Sequence, residues 1–115
     1  MPRWAKHRKE SLNQKAMERG GCIYIMTNRH HTTLYTGVTA DLVARVQQHR
    51  NRDNPESFTA RYNLIKLVYY EIYPRIEEAI QREKQLKAGS RKKKENLITA
   101  INPDWIDLWD EIKKW

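Results

Sequence analysis

Three short runs rich in β-branched and aromatic residues, several segments with helical spacing and caps, and a length of 115 residues predict an α+β fold. Three strands are too few for a barrel and enough for a small sheet with helices packed on it. A chain of this length makes one domain and buries roughly two-thirds of the surface of its unfolded form.

The first two strands are Cys22–Met26 and Leu34–Val38, joined by the polar segment Asn28–Thr33, which supplies turn chemistry and makes the pair a β-hairpin. Alternation sends Tyr24 and Met26 to the face opposite Ile23 and Ile25. A helix over 41–50 follows. Thr39 is its candidate cap, Asp41 suits its positive end, and Leu42, Val43 and Val46 form its apolar side. Residues 51–55, Asn-Arg-Asp-Asn-Pro, read as a loop, and 56–62 as a short helical turn. Leu64–Ile72 is the strongest strand signal, closed by Pro74. Ile76–Lys87 is a helix stopped by Gly89, and Ser90 caps another that runs through Leu97, Ile98 and Ile101. Beyond Pro103, Trp105, Leu108, Trp109 and Ile112 fall at helical spacing and are expected to cover the core. Residues 1–20 form a basic arm with a short apolar stripe of Trp4, Leu12, Ala16 and Met17, so the domain proper is expected over 21–115.

Lys and Arg total 22 against 14 acidic residues, a net charge of +8, which predicts attraction to a polyanion. Nucleic acid, an anionic membrane surface and acidic proteins all fit charge alone. The single cysteine, Cys22, excludes an internal disulfide and fits a reducing compartment, so a cytoplasmic location is expected. Apolar runs of about five residues are far short of the ~20 needed to cross a bilayer, and no membrane role is expected.

Glu83 is the most informative single residue. In the helix from Ile76, positions 76, 79, 80, 83 and 86 share a face and all except Glu83 are apolar. A carboxylate within such a stripe is paired, protonated or bound to a cation. It is either an ion pair, with an arginine or with Lys87 one turn on, or a ligand for a hard divalent ion such as Mg²⁺. Arg45 suits a phosphate, and His49, one turn on, shares its face and is able to donate to the same anion or move a proton. Tyr24 and Tyr35 each offer a hydroxyl at one edge of the hairpin. A tyrosine, with an ordinary pKa of about 10, is a poor base unless a cation lowers that value.

The order Cys22-Ile23-Tyr24, then Tyr35-Thr36-Gly37, then Arg45 and His49, then Glu83 within Ala79–Lys87, resembles the GIY-YIG nuclease superfamily. It is most similar to the small single-domain bacterial members, which also end in Asn-Pro-x-Trp-x-Asp-Leu, here residues 102–108. The resemblance covers residues 22 to about 109 and implies a three-stranded antiparallel β-sheet flanked by α-helices. It implies cleavage of DNA with one divalent metal, Mg²⁺ or Mn²⁺. By position, Glu83 would hold the metal, Arg45 would stabilise the phosphate, Tyr24 or Tyr35 would activate the water and His49 would assist. Arg61 and Asn63 fall where such chains carry a basic-aromatic-Asn segment near the site. Arg91, Lys92, Lys93 and Lys94 are candidate phosphate contacts, and branched or damaged DNA is among the candidate substrates. Cys22 stands in place of the motif's first glycine and Thr36 in place of its isoleucine, positions that supply no chemistry. Gly89-Ser90 stands where related chains often carry a tryptophan, which predicts altered helix packing there.

The main rival is a nucleic-acid-binding protein that keeps this fold without cutting, gripping phosphates with residues 91–94 and the N-terminal arm; a protein-interaction module is a weaker third. Retention of both tyrosines, Arg45 and Glu83 argues against the binder. Pro103-Asp104 with Glu111-Ile112-Lys113 mimics another nuclease signature, but those residues lie in a helical, tryptophan-rich context instead of on neighbouring strands. Zinc binding by His30, His31, His49 and Cys22 matches no usual ligand spacing.

Overall fold

The computed structural model describes residues 20–115. The proposed arm, with its stripe of Trp4, Leu12, Ala16 and Met17, lies, apart from Gly20, outside the described residues. The element order is β1 (Gly21–Thr27), β2 (Leu34–Thr39), α1 (Leu42–Asn51), α2 (Phe58–Arg61), β3 (Lys66–Tyr73), α3 (Ile76–Ala88), α4 (Arg91–Ile101) and α5 (Trp109–Ile112). The sheet is three-stranded and antiparallel with β1 in the middle, in the order β2-β1-β3. The chain is therefore α+β, as its strand and helix signals predict.

Being central, β1 is covered on both faces, and every one of its residues is buried. Cys22, Tyr24 and Met26 join Leu42, Val46, Leu64, Leu67, Tyr70 and Ile112 in one apolar cluster. Ile23 and Ile25 join Val68, Tyr69, Ala79, Leu86 and Ile98 in the other. Alternation along β1 thus feeds two separate cores, one under α1 and α5 and one under α3 and α4. The hairpin register pairs Tyr24 with Gly37 and Met26 with Tyr35. The β1–β2 connection is closed by Asn28, whose side-chain oxygen accepts from the Thr32 and Thr33 amides at 2.8 and 3.3 Å.

Several local expectations are corrected. Asp41, and not Thr39, caps α1: its carboxylate accepts from the Ala44 amide at 3.1 Å, while the Thr39 hydroxyl is engaged one residue earlier with the Asp41 amide. β3 starts at Lys66 and reaches Tyr73, because Leu64 is held by its amide bond to the Thr59 carbonyl. Gly89 does end α3, as its C-cap, with its amide donating to the Gln85 and Leu86 carbonyls in an extended conformation (φ −81°), and Ser90 then caps α4. The helical spacing of Trp105, Leu108, Trp109 and Ile112 yields a helix only over Trp109–Ile112. Upstream, Asn102 captures the backbone: its side chain donates to the Val68 and Ile106 carbonyls and accepts from the Ile106 amide, and Trp105 takes a left-handed φ of 52°. Asp107 then bridges the Leu67 and Trp109 amides and the Arg50 guanidinium, 2.7 Å away. This clasp ties β3 to α1. The tryptophans do cover the core: Trp109 and Trp115 pack on one cluster and Trp105 on the other. Among the described residues, no helix is long and apolar enough to cross a membrane.

Candidate active site

The site starts from β1 and β2. Tyr24 is buried and lies over Gly37, where a Cβ would stand 2.5 Å from the tyrosine hydroxyl carbon and oxygen. The glycine of the second tripeptide is required by that close approach, since no glycine here has a positive φ. Tyr35, two residues before Gly37 and on the same face, lies beside Tyr24 with ring centroids 6.2 Å apart. Asp41 starts α1 so that Arg45 and His49 face this hairpin. The Tyr24 hydroxyl and His49 Nε2 are 2.9 Å apart, and His49 Nδ1 is 2.9 Å from the Thr59 hydroxyl, which lies 3.2 Å from that of Ser57. His49 is also 5.7 and 5.9 Å from the Tyr24 and Tyr35 rings.

These groups open on a cleft of about 240 Å³ lined by Tyr35, Arg45, His49, Arg52, Phe58 and Thr59, with Asp53 as the one carboxylate in its wall. Arg45 is exposed at this wall, and no carboxylate among the described residues pairs with it. Burial pushes the Tyr24 hydroxyl pKa up, the neighbouring Tyr35 adds to that, and Arg45 opposes it. Burial holds the His49 imidazole below its ordinary range, and the Arg45 charge pushes it the same way. The pair is therefore a neutral hydroxyl beside a neutral imidazole.

Glu83 approaches from the other side. It lies on α3, which packs on the far face of the sheet, across β1 and β2. Its expected stripe is narrower than the spacing implies. Ala79 and Leu86 are buried, Ile80 is exposed, and the Glu83 side chain keeps 16% of its exposure at the stripe's flank. Lys87 Nζ is 3.5 Å from the Glu83 carboxylate and 6.0 Å from the centre of the Tyr35 ring. Because β2 is an edge strand, α3 side chains reach around it, and Tyr35 is where the two faces meet. The carboxylate that is truly buried is one the helix periodicity does not reveal: Glu71 on β3, 7% exposed, which accepts from Tyr69, Tyr73 and Arg82. Arg82 is thereby held to the sheet, while Glu83, the next residue, pairs with Lys87 instead.

The remaining candidates are spread out. Arg61 is exposed on α2, and the Asn63 side chain, at a residue with φ 58°, accepts from Arg52. Arg91 to Lys94 do not line the cleft. Arg91 donates to the His31 and Thr32 carbonyls and pairs with Glu95, and Lys94 bonds the Gly89 carbonyl, while Lys92 and Lys93 are exposed. Thr59, the second partner of His49, carries no distinguishing sequence signal; its role depends on where the Ser57 cap places α2. Among the described residues no three His, Cys, Asp or Glu side chains are grouped as they would be to hold a metal ion.

A family model described as the GIY-YIG catalytic domain matches residues 20–96. The chain is also 41% identical over 66 residues to UPF0213 proteins of Staphylococcus aureus strains Mu3, Mu50 and N315, a match covering 57% of this chain and 79% of each relative. No solved structure matches it significantly. With the two tripeptides paired on β1 and β2, Arg45 and His49 facing them from α1 and the domain model spanning most of the described chain, this protein belongs to the GIY-YIG nuclease family.

Proposed function

We propose that this chain is a divalent-metal-dependent endonuclease that hydrolyses DNA phosphodiester bonds, with Tyr24, Tyr35, Arg45, His49 and Glu83 as its machinery. The observation that carries the reading is the hydrogen-bond chain Tyr24–His49–Thr59, which opens on an arginine-lined cleft. Arg45 binds the scissile phosphate and offsets charge that develops on it. Tyr35 lines the cleft and meets the attacking water; Tyr24, buried beside it with ring centroids 6.2 Å apart, passes the proton to His49. With Tyr24 O–H donating to Nε2 and Nδ1–H donating to Thr59, the neutral imidazole is the final acceptor of the water's proton. A phosphate seated on Arg45 neutralises the charge that disfavours the imidazolium, so substrate binding itself readies His49 to take that proton.

Glu83 offers hard oxygen donors and fits Mg²⁺ or Mn²⁺, ions that keep several waters and need one or two carboxylates. Lys87 is half-exposed on a flexible arm and swings clear of Glu83 to admit the ion. When bound, the metal supplies Lewis-acid stabilisation of charge on the phosphate. Arg61 and Asn63 beside the cleft, and Arg91, Lys92, Lys93 and Lys94 farther off, are assigned to the DNA backbone, the distant group as non-specific contacts. The lone buried cysteine suits a reducing compartment, and we place the protein in the cytoplasm.

The test is incubation of purified protein with branched, nicked, flapped, damaged and single-stranded DNA in Mg²⁺ or Mn²⁺, beside Glu83→Ala and Arg45→Ala. Cleavage by wild type alone is expected. Salt-sensitive binding without cleavage would establish the non-catalytic binder instead, and equal cleavage by Glu83→Ala would place the chemistry elsewhere.

A further inference from the structure

The short helix α2 is inside out. Its buried residues are Thr59 and Ala60, while Phe58 and Tyr62, the large rings at its first residue and its C-cap, are 48% and 49% exposed. The rings lie against each other with centroids 4.7 Å apart and planes at 42°, and Phe58 stands 6.3 Å from the ring of Tyr35. Packing alone favours the reverse order, with the rings turned inward and the threonine outward. The exposed pair continues the row of aromatic residues that begins in the site, Tyr24 to Tyr35 to Phe58 to Tyr62, and leads it out of the cleft into solvent. Arg45 and Arg52, both exposed, line the cleft, and Arg61 is exposed between the two rings in sequence.

We infer that the Phe58–Tyr62 pair is a stacking platform for an unpaired base of the DNA strand whose phosphate occupies the cleft. The inference rests on the nuclease reading for its substrate and adds the form of DNA that the site accepts. Exposed ring faces bordered by guanidinium groups are the combination that holds single-stranded nucleic acid, with cations on the phosphates and rings on the bases. A paired base has both faces covered by its neighbours, so a ring gains a face only where the base is splayed out of the stack. Duplex DNA would meet the arginines and gain nothing from the rings. Phe58, which lines the cleft and stands 6.3 Å from the Tyr35 ring, puts the platform directly beside the proposed phosphate site. Positive charge at the cleft mouth favours this occupant over an apolar segment of a partner protein.

The experiment is binding without divalent metal, which separates it from cleavage. The probes are a fully paired duplex, the same duplex with a single-stranded flap, and the free strand, the last two carrying a fluorescent adenine analogue at unpaired positions. Wild type is expected to bind the flap and the free strand more tightly than the duplex and to quench the analogue. Phe58→Ala and Tyr62→Ala are each expected to weaken flap binding by about 5- to 100-fold and to abolish quenching, with duplex affinity within about twofold of wild type. Phe58→Trp and Tyr62→Phe keep both. If Phe58→Ala fails to fold by circular dichroism, Tyr62→Ala carries the test, since its ring is half in solvent and outside the two apolar clusters. Equal losses on duplex and flap, or no loss on either, would overturn the platform. Ring-dependent binding without cleavage of any substrate would overturn the nuclease reading and leave the platform standing. Cleavage of fully paired DNA with no ring-dependent preference would do the reverse, and failure to bind any DNA would overturn both.

Discussion

On the face covered by α3, Tyr69 and Tyr73 donate to the Glu71 carboxylate and Arg82 closes the group with a guanidinium 2.9 Å away. On the face covered by α1, Tyr24 and Tyr35 stand beside His49, and an arginine is again close by, but Arg45 faces a cleft whose one carboxylate, Asp53, forms no ion pair with it. Both clusters join two tyrosines to a titratable group and an arginine. In the first, every charge is met inside the protein. Burial alone would raise the Glu71 pKa, yet the bonds from Arg82 and the tyrosines outweigh it and hold the carboxyl low, while burial and then its bond to Glu71 push Tyr69 up against the opposing charge of Arg82. In the second, positive charge is left over and a neutral imidazole has a free role to play. The difference separates a cluster that holds α3 in register from one arranged to receive an anion. Arg82 and Glu83, adjacent in sequence, diverge: Arg82 belongs to the closed cluster, while Glu83 pairs with Lys87.

The largest expected effect comes from removing the unneutralised charge. Arg45→Ala should lower cleavage by about 10²- to 10³-fold. Its melting temperature should stay near wild type, because Arg45 is exposed; a matching fall in stability would mean that the two clusters do not differ in kind. Opening the closed cluster has the opposite profile. Glu71→Gln should destabilise by about 2–4 kcal/mol in urea titrations, since it leaves Arg82 partly buried without its counter-charge, while the folded protein keeps its cleavage rate. The sign with pH follows from the lowered Glu71 value. Its contribution is present in full above the unfolded carboxylate pKa of about 4.3 and is lost as pH falls through the lower folded value, so wild type and Glu71→Gln converge in acid. Next, Gly37→Ala tests the close approach within the open cluster. An added methyl 2.5 Å from the Tyr24 hydroxyl must displace that ring, costing about 1–3 kcal/mol and uncoupling Tyr24 from His49, visible as a shift of the His49 ring protons in NMR spectra. The smallest effect is on pH dependence. His49 acts in its neutral form and its pKa is held down, so the acid limb of kcat/KM should lie below the ordinary value of about 6.5; a limb above it would exclude His49 as the proton acceptor.

Much of this was legible in one dimension because local rules coincided with the fold. The hairpin, the alternation of Tyr24 and Met26 against Ile23 and Ile25, the Ser90 cap and the grouping of Arg45 with His49 all follow from spacings of two and of three to four residues. Reading failed where a side chain far away, or a capturing polar group, decided the outcome. The Ile76–Leu86 periodicity pointed to Glu83 as a buried charge, whereas the burial falls on Glu71, whose partners come from α3 as well as from its own strand. The apolar spacing after Pro103 pointed to a helix through Trp105, and Asn102 overrides it by occupying the backbone groups a first turn would use.

The sequence by itself determined the α+β class, the paired tripeptides, the family and the candidate groups Tyr24, Tyr35, Arg45, His49 and Glu83, because each rests on residue type and short-range periodicity. Only the tertiary structure decided which tyrosine bonds His49, that Thr59 is its second partner, that Lys87, paired with Glu83, comes up to the Tyr35 ring beside an edge strand, and that α2 and its cap turn their rings outward. Those are relations between elements, set by how two cores close on opposite faces of one sheet, and no local spacing encodes them.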